Sequence, residues 1–133
     1  MEGNFALTQE EQIVFQGINK ERISRGLEPL QINPVLVRLA REKSRDMVDN
    51  NYFAHRSPTL GRASDMMRAA DLHFNYAGEN LARTTTPQNA VALFMGSSPH
   101  RSTLLNHRYS ETGVGIVRVG RQIYVTQMFI GFN

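Results

Sequence analysis

The chain has 133 residues, 41% hydrophobic and 20% charged, with a formal net charge of +3 and no cysteine. That length fits one domain with one core. The composition excludes a disordered chain, a disulfide framework, thiolate zinc and a membrane span of ~20 apolar residues.

The thirteen arginines and two lysines are interleaved with Glu and Asp rather than gathered in one run, which argues against a nucleic-acid partner. The opening MEGNFALTQEEQ lacks the basic start and apolar middle of an export signal. Residues 1–7 are expected to form a flexible tail ahead of a single domain.

Thr8-Gln9-Glu10-Glu11 has capping-box form and predicts a helix start, with Val14, Phe15 and Ile18 on one side and Gly26 as the stop. Leu27, Leu30 and Ile32 form a short apolar connector. Asn33-Pro34 then reads as an N-cap followed by Pro at the first helical position. Leu36, Leu39, Ala40, Met47 and Val48 recur at helical spacing behind it, so an amphipathic helix is expected to end near Asn50-Asn51. A shorter helix is expected from Arg62 to Ala70, with Met66, Met67 and Ala70 inward as core filler.

HFNYAGENLA is too short for a helix and reads as a strand or extended turn that delivers Glu79 to the interior. Thr86-Pro87 repeats the cap-plus-Pro signal for a helix through Phe94 that Gly96 ends, and Ser98-Pro99 starts one more short helix. GVGIVRV (113–119) and QIYVTQMFIGF (122–132) form a β pair joined by a tight turn at Gly120-Arg121. Helices first and strands late predict an α+β fold with layered packing rather than alternating βαβ units.

Three side chains stand out for chemistry. His55, in YFAHRSP, sits where a helix has ended and a loop begins, either as a functional residue or as a histidine bonded to backbone. Glu79, between Gly78 and Asn80 in an apolar run, needs a partner if it is buried: a His, an Arg, a metal or several N–H groups. His100, in SSPHR, stands near a helix start, which favours the neutral imidazole that binds metals. His73 and His107 read as surface residues. Two His and one Glu would supply three zinc ligands and leave one position open for water, but their long-range spacing carries no local zinc signature. Ser57, Ser97 and Ser98 lack the elbow motif of a nucleophilic serine.

YFAHRSP, AGENLA, SSPHRSTLLN, TGVGIV and YVTQMF, taken in order, resemble the bacterial SCP-like branch of the CAP superfamily, which unites cysteine-rich secretory proteins, antigen 5 and pathogenesis-related class 1 proteins. The resemblance runs from about Glu11 to Phe132. It implies an α-β-α sandwich with a small antiparallel sheet between helical layers. It also implies a cleft of two His and two acids that in some members holds zinc or another divalent cation. His55 matches the first His, Glu79 the acid of the GEN motif, and His100 the second His, with His107 as the other candidate. Ser97 stands where eukaryotic members carry Glu, and Phe94 where they carry Trp, so one acid of the set is missing.

Two functions follow from the resemblance and the residues together. One is a secreted or cell-envelope binding module whose His55/Glu79/His100 cleft, with Ser97, Tyr124 and Gln127 beside it, takes a divalent metal, a small ligand or an envelope component. The other is a metal- or His-assisted hydrolase of peptide or envelope substrate, with Glu79 as general base. The sequence sets no oligomeric state.

Overall fold

The structure, a computed structural model, describes residues 6–133. Thr8 starts the first helix as its motif predicts. Its hydroxyl accepts from the Glu11 N–H at 3.1 Å while Glu11 Oε1 accepts from the Thr8 N–H at 2.9 Å. This closed capping box opens α1 (Gln9–Ile23). Of the expected tail 1–7, residues 1–5 lie outside the described residues, and the Ala6 carbonyl accepts from Arg41 Nη2 at 2.8 Å.

After β1 (Gln31–Ile32), the Asn33 side chain caps α2 (Pro34–Asp49) by accepting from the N–H groups of Val35 and Leu36. The remaining elements are α3 (Ala63–Ala69), β2 (Tyr76–Thr84), α4 (Pro87–Gly96), α5 (Ser98–Leu104), β3 (Glu111–Val119) and β4 (Gln122–Gly131). Thr86 caps α4 through the Asn89 N–H, as its cap-plus-Pro signal predicts.

The four strands form one sheet in the order β1-β3-β4-β2. The three long strands pair antiparallel, as expected, in an unbroken register from Tyr76↔Gly131 to Thr84↔Ile123 and from Glu111↔Ile130 to Val119↔Gln122. The two-residue strand β1 adds a parallel edge against Glu111 and Thr112, so the sheet is mixed at that margin.

Because side chains alternate across a strand, this register sorts the protein into layers. Met128 and Ile130 pack with Leu36, Leu39 and Ala40 of α2 and with Met66 and Met67 of α3. Val114, Val125 and Phe129 pack on the other face with Val14 and Ile18 of α1, Ala90 and Phe94 of α4 and Leu104 of α5. The result is the α-β-α sandwich, with a hydrophobic core on each side of the sheet.

Two glycines set how closely α2 lies on the sheet. A Cβ at Gly113 would overlap the backbone of Leu36 and Val37, and one at Gly115 the backbone of Ala40 and Arg41. Helix and strand therefore meet backbone to backbone, and the Ser44 hydroxyl donates to the Gly115 carbonyl at 2.9 Å.

Buried charge ties the layers together. Glu11 accepts from Arg41 of α2 and from the Ile116 N–H of β3. Arg22, also buried, donates to the carbonyls of Glu28, Leu104, Asn106 and Tyr109. It thereby satisfies the end of α5 and the loop after it, with no carboxylate partner among the described residues.

Candidate functional site

His55 and Glu79 meet. His55 Nδ1 lies 2.9 Å from Glu79 Oε1, with the imidazole 51% exposed and the carboxylate side chain 5% exposed. A carboxylate oxygen only accepts, so the bond requires the proton on Nδ1 and leaves Nε2 turned to other partners. Glu79 Oε2 is buried and makes no hydrogen bond among the described residues. The pair lines a cleft of about 270 Å³ with Arg62, Ser64, Ala77 and Gly78.

Each partner is held by the local fold. Glu79 pairs with Met128 in the register, so both side chains project to the face covered by α2 and α3. His55 stands on the loop between α2 and α3, and α2 anchors that loop through two buried or half-buried groups one turn apart.

Lys43, completely buried, donates from Nζ to the His55 carbonyl at 2.8 Å and lies 4.9 Å from the centre of the Tyr52 ring. Burial lowers its pKa, and the charges of Glu79 and Asp46 partly offset that. Asp46 accepts from Ser57 Oγ at 2.6 Å, from Asn50 and from the Tyr52 hydroxyl. Burial alone would raise the Asp46 carboxyl, but these bonds and Lys43 outweigh it and hold the pKa below its ordinary value. The Tyr52 phenol is pushed up to about 12, by burial and then by its bond to Asp46. Ser57 closes the loop by pairing with Gly61 and by accepting from the N–H groups of Thr59 and Leu60.

The other site residues expected from sequence make no hydrogen bond to this pair. Asn80 and Gln127 pair on the opposite face from Glu79. His100 belongs to that second layer: Asn80 Nδ2 donates to its carbonyl at 2.9 Å, and its ring lies 5.5 Å from the Phe94 ring. It makes no hydrogen bond to His55 or Glu79, and its buried Nδ1 has no partner. Burial lowers its pKa, and the His55 charge lowers it further, so the two imidazoles feel each other across the edge strand β2.

Gln127 is a correction. It is completely buried, its amide donates to Thr112 Oγ1 at 3.1 Å, and it is a core group rather than a cleft wall. Tyr124 sits further along the Glu79 face, edge-on to Phe53, with the Arg83 guanidinium over both rings. Ser97 forms the joint between α4 and α5 and makes no side-chain cap there. His73 and His107 are exposed, as expected.

Three zinc ligands are not gathered. Among the described residues, no group of three or more His, Cys, Asp and Glu side chains is placed to hold a metal ion. His55 and Glu79 are two adjacent donors whose mutual bond occupies one nitrogen and one oxygen. They do not fit a three-ligand zinc centre.

Sequence reading missed Lys43, Asp46, Tyr52 and Ser57 as site supports. Lys43 carried a visible signal: it continues the apolar stripe of Leu36, Leu39, Ala40 and Met47, where a lysine must find buried partners.

The family model described as "CAP: Cysteine-rich secretory protein family" matches residues 15–129. The uncharacterized protein YkwD of Bacillus subtilis is 45% identical over 122 residues, which are 91% of this chain and 47% of that protein. A solved extracellular protein containing a SCP domain, from Bacillus anthracis, is 34% identical with a TM-score of 0.84, over 98% of this chain and 41% of that one. The chain thus spans less than half the length of either relative. A solved structure of NaASP2 with Zn2+ is 10% identical with a TM-score of 0.68, over 98% of this chain and 86% of that one, a likeness of fold alone.

Proposed function

The chain belongs to the CAP family, and from that premise we propose that it is an extracytoplasmic binding module whose cleft, built on His55 and Glu79, takes a small polar ligand. The observation that carries this reading is Glu79. A carboxylate 95% withdrawn from solvent is bonded through one oxygen to a half-exposed imidazole, and its other oxygen has no partner. Buried polar groups are normally satisfied, and an unsatisfied one beside an open cleft is what a ligand or an ordered water completes. The extracytoplasmic placement is supported by the Bacillus anthracis relative, which is described as extracellular.

The same pair favours the hydrolytic alternative in one respect. Glu79 stands behind His55 as an orienting acid stands behind a general base, with Nε2 outward. In that reading His55 takes a proton from water and Glu79 orients it.

The test is amide chemical-shift mapping against a library of small polar compounds. Binding at this site moves residues 53–64 and 76–80, and Glu79→Gln removes the response. Shifts confined to other parts of the protein, or unchanged by that substitution, contradict the proposal. Turnover of a peptide and peptidoglycan panel that His55→Ala abolishes would select the hydrolase.

A further inference from the structure

The cleft is lined by two residues of opposite charge, Glu79 and Arg62. Glu79 Oε2 is buried and has no hydrogen-bond partner among the described residues, while Oε1 is taken by His55. The Lys43 ammonium feels the Glu79 charge but makes no hydrogen bond to that oxygen; its Nζ donates to the His55 carbonyl. A carboxylate oxygen accepts and never donates, so it repels an anion and is completed by an ammonium or amide N–H.

At the rim stands Arg62. Its backbone N–H donates to Asp65 Oδ2 at 2.9 Å, and the Asp65 carboxylate also pairs with Arg68. The Arg62 guanidinium makes no ion pair among the described residues and is exposed beside the same cleft, free to take a carboxylate in two-pronged fashion. Much of the remaining wall is small: Ala63, Ala77 and Gly78. The cleft, with a volume of about 270 Å³, has room for a ligand as small as a two-residue peptide.

We propose that this cleft selects a short zwitterion of dipeptide size, its ammonium toward the Glu79 carboxylate and its carboxylate on Arg62. The inference rests on the reading of the His55–Glu79 cleft as a binding site and adds the ligand's class. It requires both termini of the ligand to be free, which sets it apart from a neutral sugar or an anion.

The experiment titrates the 133-residue protein with glycylglycine, N-acetylglycylglycine and glycylglycinamide, followed by amide chemical shifts. Glycylglycine is expected to move residues 62–64 and 77–79 and to saturate. Loss of one charge-assisted contact, by acetylating the amine or amidating the acid, weakens binding about tenfold. In Arg62→Gln, an exposed substitution that leaves the fold intact, glycylglycine and glycylglycinamide bind alike. In Glu79→Gln the penalty for acetylation disappears. Equal binding of all three compounds to the wild type, or a penalty for amidation that survives in Arg62→Gln, overturns the proposal. If none of the three moves these amides while another compound from the library does, the zwitterion falls and the cleft stands. If nothing in the library moves them, both fall.

Discussion

Lys43 Nζ donates to the carbonyl oxygen of His55 at 2.8 Å from a position with no solvent exposure. The bond joins the middle of α2 to the residue that faces the cleft, so the place of the imidazole depends on a helix that never reaches the ligand. Replacing Lys43 with Met keeps much of the volume but removes the donor and the positive charge between Glu79 and Asp46. Urea denaturation is expected to show a loss of about 3 kcal/mol, with faster amide exchange in residues 55–61. A variant within about 0.5 kcal/mol of wild type would show that the buried amine does not anchor this loop.

The contact of α2 with β3 makes a contrasting pair of glycine substitutions. Gly115→Ala places a methyl into the backbone of Ala40 and Arg41, which cannot rotate away, and is expected to cost about 3 kcal/mol or to prevent soluble expression. Gly96→Ala meets nothing within 4 Å at the end of α4 and is expected to change stability by under about 1 kcal/mol, toward greater stability. Chemical denaturation of both proteins checks the pair.

His100 gives the fold a pH dependence whose sign is fixed. Its folded pKa lies below the ordinary 6.5, by burial first and the His55 charge second. The unfolded chain therefore binds this proton more readily than the folded one. The stability tied to the neutral ring is complete above pH 6.5 and is lost as pH falls from there toward the lowered folded value. Melting temperatures from pH 8 down to pH 5 are expected to decline less steeply in His100→Phe than in wild type. Parallel curves would contradict the placement of that ring.

Much of this fold is legible because it is written in short-range chemistry. Thr8 with Glu11, Asn33 with Pro34, and Thr86 with Pro87 each satisfy helix N–H groups within a few residues of themselves, so the signal survives without tertiary context. The strand carrying Glu79 and the hairpin at Gly120-Arg121 follow in the same way from β-favouring residues and a turn. The edge strand Gln31–Ile32 was not legible, since its parallel partners Glu111 and Thr112 are distant in sequence. The site was half legible. His55 and Glu79 do meet, but the parity of β2, which turns Glu79 to one face and Asn80 to the other, is a property of the assembled register. That parity is why Asn80 bonds the His100 carbonyl rather than joining Glu79, and why Gln127 is buried.

Zinc tests the two-donor description. With one nitrogen of His55 and one oxygen of Glu79 already bonded to each other, and no third ligand among the described residues, calorimetric titration is expected to show no tight one-to-one step. A tight step that His55→Ala abolishes would mean that the loop rearranges to bring in another ligand.

The central claim is that Glu79 orients His55 toward the cleft, and the ring nitrogens report it directly. In a long-range proton–nitrogen spectrum of neutral His55, the account predicts the proton on Nδ1, facing the carboxylate, and a bare Nε2, with this preference lost in Glu79→Gln. A neutral His55 carrying its proton on Nε2 in the wild type would contradict the account.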